Sequence, residues 1–357
     1  MGVLKKVGGQ EKAAELLGRA YSTGRLAHAY LFAGPGGVGR LTAALELAAS
    51  IMCDEAEDGY CGTCRNCSRI FSFGHPDVRL TIPVKGSTGP AELSALFEAR
   101  IRDGVTPLRL DGNTRITIEQ VRNIGARLSV KAFENHGHVE IILDADRMGV
   151  EAANALLKTL EEPPEETLMI LVSSRWSSLL PTIRSRTHLV RFRRVDDDLV
   201  KNILVERLGM SPEDASAAAM ISDGRPGLAL LNASRGGYGE VECDHVAVIG
   251  DLVKCASPFS ALSLASKTAS VLGREGGLEL CRMVQALLHD VRRLSAGLRP
   301  IAHSPEGIGK LGISEDACRE SIGVFALAEK MLAGNGRPEI VLGAAFTGMW
   351  KVVHESG

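Results

Sequence analysis

Residues 29–45, AYLFAGPGGVGRLTAAL, run from an apolar β-rich segment through a glycine-rich turn into a helix pattern. That order makes a phosphate-binding loop when backbone N–H groups close around phosphate oxygens at a helix N-terminus. Gly34, Gly36, Gly37 and Gly39 supply the backbone freedom such a loop needs. The side chains depart from the pattern G-x-x-x-x-G-K-[ST]. Arg40 stands where a lysine reaches the β- and γ-phosphates, and Leu41 stands where a hydroxyl ligates Mg²⁺. Thr42 is no replacement, because one step along a helix turns a side chain by about 100°. By itself the segment reads equally well as a glycine-rich turn with no ligand.

The same alternation continues on both sides of the loop. Apolar β-rich runs at 29–34, 77–82, 138–144, 167–174 and 188–192 are separated by helix patterns at 11–23, 41–52, 117–132 and 151–160. Strands alternating with helices predict an α/β domain with a mainly parallel sheet covered on both faces, over 1–195. Beyond Asp196 only helix patterns remain. Three short ones over 196–237, the second opened by Ser211-Pro212, lead to a glycine-rich break, SRGGYGE, at 234–240. Longer amphipathic patterns at 245–254, 259–272, 276–297, 314–334 and 338–352 predict a C-terminal helical domain over 245–357, following a small helical domain over 196–237. Residues 84–115, with one helix-like piece at 90–102, read as an insertion of no evident role.

A length of 357 residues allows two or three domains at about 100–200 residues each. Hydrophobic residues at 45% and charged residues at 24% are ordinary for globular chains and exclude disordered, collagen-like and disulfide-scaffold classes. With 41 Lys+Arg against 43 Asp+Glu, the chain is no bulk neutraliser of nucleic acid. An aromatic content of 4% argues against broad base-stacking platforms. The opening MGVLKKVGGQEK has no signal-peptide core, Lys6 breaks the myristoylation pattern, and no apolar run approaches a bilayer span, so a cytoplasmic location is expected.

A second apolar strand, VEIILDADRM, ends in Asp144, where phosphate-loop ATPases hold Mg²⁺ and follow with a water-orienting glutamate. Here the next residue is Ala145, whose methyl group can neither accept a proton nor hold a water. Asp146, one step on, is expected to point elsewhere, and Asp144 reads more simply as a strand-end cap. Four of the eight cysteines, Cys53, Cys61, Cys64 and Cys67, crowd into fifteen residues beside the turn formers Asp58-Gly59, Gly62 and Asn66. Short Cys-x-x-Cys spacings with a fourth thiol match tetrahedral Zn²⁺, and a closed four-sulfur shell is structural rather than catalytic. His75 is an alternative ligand, but the four thiols already complete the shell.

These segments together resemble the clamp-loader subunits of bacterial DNA polymerase III, in the AAA+ superfamily. The resemblance is carried by VGGQE (7–11), GRLAHAYLFAGPGGVG (24–39), the cysteine cluster, GHPDV (74–78), ITIEQVRNI (116–124), AANALLKTLEEPPEETLMILVSS (152–174) and LLPTIRSRT (179–187). It implies an AAA+ domain with a helical lid and a helical collar for oligomerisation. Within that family the chain looks like the non-hydrolysing delta-prime type rather than the ATP-hydrolysing gamma/tau type. Arg40, Leu41 and Ala145 replace catalytic groups, and Leu228 falls where the lid's sensor arginine is expected. ATP binding is therefore not expected. Ser185-Arg186-Thr187 matches the family's Ser-Arg-Cys motif, which implies that Arg186 reaches a neighbour's ATP as an arginine finger. Around it, Arg184, Arg191, Arg193 and Arg194 complete five guanidinium groups in eleven residues, read otherwise as a solvated basic face. The implied partners are gamma/tau and delta subunits, with the sliding clamp and primed DNA met through the assembly. The competing readings are a self-sufficient gamma/tau-like ATPase with Arg40 in the lysine's role, and a zinc-dependent DNA-binding protein.

Overall fold

The alternating runs resolve into five strands, β1 (Ala29–Ala33), β2 (Val78–Thr81), β3 (His138–Ile142), β4 (Thr167–Ser173) and β5 (His188–Arg191). Their order in the sheet is β2-β3-β4-β1-β5, and every neighbouring pair is parallel. The computed structural model describes residues 2–108, 110, 114–134, 136–234, 245–298, 300 and 308–355. These divide into two units: Met1–Met210 with Ser222–Leu231, and Ser211–Ile221 with Asn232–Gly357. The expected break at 234–240 lies, apart from Ser234, outside the described residues.

In the first unit β1 and β4 are buried along their whole length, as continuous apolar runs of a sheet covered on both sides should be. Successive side chains feed opposite faces. Tyr30, Phe32, Leu168, Ile170 and Val172 pack beneath α1 (Glu11–Ser22), α2 (Arg40–Met52) and α3 (Arg65–Phe71). Ala29, Leu31, Met169 and Leu171 pack on the other side. The helices there are α5 (Ile118–Leu128), α6 (Val150–Glu161) and α7 (Pro181–Arg184). Thr117 and Gln120 close a capping box at the start of α5. The 84–115 insertion is pinched shut where Val84 and Arg115 exchange backbone hydrogen bonds of 2.9 and 3.0 Å. Within it, α4 (Pro90–Asp103) leans on the core through Leu93, Leu96 and Phe97. The three short helices expected over 196–237 are α8 (Asp197–Leu208), α9 (Pro212–Ser222) and α10 (Pro226–Ser234). By contacts, α8 and most of α10 group with the first unit and α9 with the second.

Among the described residues the second unit's regular elements are all helices. Its α11 (His245–Lys254), α12 (Pro258–Ser295), α13 (Glu315–Ala333) and α14 (Pro338–Glu355) enclose a core that includes Phe325, Phe346, Leu287 and Met349. The two helices expected at 259–272 and 276–297 meet with only Gly273 between them in a non-helical conformation. Among the described residues no helix is long and apolar enough to cross a membrane.

One buried carboxylate ties three segments of the first unit together. Glu46, on α2, is fully buried. Its Oε1 accepts the backbone N–H groups of Lys5 and Lys6, each at 2.7 Å, and the Tyr60 hydroxyl at 2.6 Å. The N-terminal segment, the helix behind the glycine-rich loop and the cysteine loop therefore share one acceptor. Burial first, and then the Glu46 carboxylate, push the Tyr60 phenol above its ordinary value, so Tyr60 stays a donor. Bonds to a charged acceptor contribute about 1.5–3 kcal/mol each. Glu46→Ala is expected to lower the unfolding free energy by at least about 3 kcal/mol in urea titrations. Glu46→Gln, whose amide oxygen still accepts, should cost clearly less.

Candidate functional site

In a parallel sheet, chemistry gathers at the carboxyl ends of the strands. The glycine-rich loop leaves β1 there and turns into α2, with Gly39 left-handed at the helix start. The loop's crown is met by backbone. Gly227, in the first turn of α10, donates its N–H to the Gly37 carbonyl at 2.8 Å. A methyl group on Gly227 would stand 3.0 Å from that oxygen, and one on Gly37 would stand 3.1 Å from Leu228 N. Two glycines are what let the two backbones approach this closely. Leu228 thus lies against the loop. Arg225, which the sequence reading passed over, is buried beside the same glycine, its Nε–H donating to Ser222 O at 2.9 Å.

The catalytic positions face inward. Arg40 is buried on the first turn of α2. Leu41 is partly buried and packs against the apolar core. Ala145 is fully buried in the opposite core. Asp144 adopts a left-handed backbone before a short 3-10 turn, makes no side-chain cap, and lies 4.0 Å from Arg147 Nε. Asp144 sits in the cap position at the strand end, as expected, but caps with its carbonyl, which takes the Arg147 N–H, while its carboxylate pairs with the Arg147 guanidinium.

Asp146 is the residue that locks these strand ends together. It accepts Ser173 Oγ–H at 2.5 Å and Arg175 Nε–H at 3.0 Å, joining the end of β3 to the end of β4. It points back into the strand ends rather than idly away. Burial would raise its carboxyl, but the Ser173 and Arg175 hydrogen bonds outweigh that and hold it below its ordinary value.

The four thiols come together. Cys53 closes α2, Cys64 caps α3, and Cys67 is buried one turn later. All four sulfurs lie within 4.8 Å of one another, with 3.9 Å between Cys53 and Cys64 and between Cys61 and Cys67. A tetrahedron with metal–sulfur bonds of about 2.3 Å has edges of about 3.8 Å, so the cage is of metal-binding size. Backbone N–H groups of Cys61, Thr63, Cys64 and Cys67 point at the sulfurs of Cys53, Cys61, Cys61 and Cys64. Those from Cys64 and Thr63 pull the Cys61 thiol down to about 6, favouring the thiolate that a metal needs. Burial pushes Cys64 and Cys67 up. One expectation is corrected here, and the set-aside alternative ligand lies elsewhere. Asn66 is not in a turn but buried in α3, donating to Met52 O and Asp54. His75 is not in the thiol group; it is fully buried, and its Nδ1 accepts the Asp77 N–H at 3.1 Å.

The arginines are engaged separately. Arg186, just before β5, holds Glu161 of α6 at 2.7 Å and donates to Thr182 O at 3.1 Å, with 36% of its side chain exposed. Thr187, in the motif cysteine's place, is buried with its hydroxyl on Ile183 O. Arg184 and Arg191 both approach the Trp176 ring, at 5.8 and 5.5 Å. The Arg193 backbone is clamped by the Gln10 side chain, and Arg194 pairs with Asp223 at 2.7 Å.

Fold and site define a class: an α/β protein with a parallel sheet, a glycine-rich loop after β1 bonded to the first turn of α10, and a four-thiol module behind it. The family profile described as "DNA polymerase III, delta subunit" matches residues 9–196, more than half of the chain, and the chain belongs to that family. It is 34% identical over 214 residues to DNA polymerase III subunit delta' of Bacillus subtilis, covering 60% of this chain and 56% of that protein. It is 28% identical over 327 residues to DNA polymerase III subunit gamma/tau of Mycobacterium bovis, covering 84% and 52%. The chain thus spans about half the length of these relatives. A gamma subunit-related protein of Thermotoga maritima aligns at 16% identity over 94% of this chain and 98% of its own, with a TM-score of 0.43, a likeness too loose to bear on the assignment.

Because Asp146 titrates below its ordinary 3.8 when folded, it contributes stability above that pH and loses the contribution as pH falls through its folded value. Asp146→Asn is expected to flatten the acid limb of a urea-midpoint profile below about pH 4, at the cost of a lower plateau at neutral pH.

Proposed function

We propose that this protein acts as a delta-prime-type, non-hydrolysing subunit of a DNA polymerase III clamp loader. The observation that carries the reading is the covered loop: Gly227 N–H on the Gly37 carbonyl, with Leu41 and Ala145 in core positions where catalysis needs a hydroxyl and a carboxylate. Phosphoryl transfer depends on positioned donors, metal and a water-orienting group, and these positions supply none of them. In this reading residues 1–195 form the AAA+ domain, 196–237 a lid and 245–357 a collar through which gamma/tau and delta subunits assemble. The sliding clamp and primed DNA are met by the whole complex, in the cytoplasm.

Two groups keep a role. Cys53, Cys61, Cys64 and Cys67 hold one Zn²⁺, which supplies structural cross-linking and no chemistry, since four thiolates leave no open position. Arg186 serves a neighbouring subunit's ATP. Its guanidinium donates two parallel hydrogen bonds to phosphate oxygens, which lysine cannot do. In the isolated chain Glu161 occupies it, and a half-exposed ion pair of that kind is weak enough to exchange for phosphate.

Elemental analysis is expected to find about one zinc per chain, lost in Cys64→Ser together with protection of residues 53–75 from proteolysis. Full metal content in that variant would remove the assignment. In a reconstituted loader, Arg186→Ala should leave assembly and zinc intact while lowering clamp-dependent ATPase at least about tenfold, with poor rescue by Arg186→Lys. Normal ATPase in an assembled alanine complex would reduce Arg186 to a surface ion pair.

A further inference from the structure

At the amino ends of β2 and β3, on the side of the sheet away from the glycine-rich loop, α5 leaves a cavity of about 290 Å³. The chain leaving α5 lines part of it and carries two exposed apolar side chains, Val130 at 65% and Phe133 at 75% exposure. The backbone presenting them is not slack. Asp77, itself buried, accepts the N–H groups of Phe133 and Glu134, each at 2.8 Å. His138 Nε2 donates to the Val130 carbonyl at 2.8 Å. Three hydrogen bonds fix the backbone that carries Phe133, so a partner covering the exposed ring costs little backbone entropy.

Charge states what kind of partner fits. The two carboxylates of the cavity are spent internally: Asp77 on the loop, and Glu140 on Thr81 at 2.6 Å and Arg127 at 2.9 Å. Arg127 still keeps a buried Nε–H without an acceptor. Arg79 and Lys131 face the same cavity with no carboxylate within 4 Å among the described residues. The floor includes Leu128 and Val139. A volume at the low end of ligand pockets, about 300 Å³ and upward, suits an anchoring side chain rather than a cofactor. The surplus cations at its rim suit carboxylates beside that anchor.

We propose that this cavity and its Val130–Phe133 rim dock an acidic segment of a partner protein, inserted through a large apolar side chain. The reading is independent of the clamp-loader assignment. The test uses the whole chain and a fluorescein-labelled peptide, Asp-Asp-Leu-Phe-Asp-Asp, followed by anisotropy at low ionic strength. Saturable binding is expected, weakened at least about tenfold by Phe133→Ala and by Arg79→Glu, each with an unchanged urea midpoint because both side chains are exposed. The charge-reversed peptide Lys-Lys-Leu-Phe-Lys-Lys should not bind, and unlabelled oligothymidine should not compete. Absence of binding by the acidic peptide, or equal binding by both variants, overturns the proposal. Displacement by oligothymidine reassigns the surface to nucleic acid, and self-association abolished by Phe133→Ala reassigns it to a second copy of the chain; either overturns it too.

Discussion

The glycine-rich loop after β1 is fastened to its own chain through a backbone carbonyl, and the close approach of two backbones there constrains what surrounds it. The Gly227 N–H to Gly37 carbonyl bond fixes the first turn of α10 on the loop. Neither residue tolerates a side chain there without a shift. The neighbouring substitutions follow the same logic. In the proposed function, the positions where a hydrolysing site needs a hydroxyl and a carboxylate are given to packing. Leu41 and Ala145 have joined the apolar cores on either side of the sheet.

The rest of the first unit is organised around keeping these strand ends and helix starts in place. Asp146 joins β3 to β4 through Ser173 and Arg175. Gln10 clamps the backbone at the end of β5 from both its oxygen and its nitrogen. Glu46 gathers the N-terminal segment and the cysteine loop onto α2. A thiol cage at the far end of α2 then makes sense as a second fastening of that helix, since Cys53 is its last cap. Buried carboxylates of this sort are stabilising only while every donor is present, which makes them sensitive to single substitutions.

Much of the fold was legible in the sequence because it rests on local periodicity. The five apolar runs fell on the five strands to within about two residues, and α1, α2, α5 and α6 followed from their 3.6-residue pattern. Residues that periodicity does not describe were missed. The seven-residue α3 and four-residue α7 are too short to show a repeat. Asn66 reads as a turn former, yet its amide is spent on the Met52 carbonyl inside α3. Asp146 was judged by its step along a strand, but the chain turns at Asp144 into a 3-10 helix, which redirects everything after it. The cysteine cage was legible because short spacing forces proximity; Glu46 was not, because its partners lie 14 to 41 residues away. Arg225 and Gly227 meet the loop only through tertiary structure, and no motif announced them.

The proposed function requires that this chain's own glycine-rich loop hold no nucleotide. The most direct measurement is the thermal unfolding of the purified chain with and without millimolar ATP and Mg²⁺. A nucleotide that bound the folded chain would stabilise it by about 2.7 kcal/mol at a hundredfold excess over its dissociation constant, enough to move the transition by several degrees. The account predicts an unchanged transition and no phosphate release. A concentration-dependent rise in the transition temperature, abolished by Asp144→Ala, would contradict it.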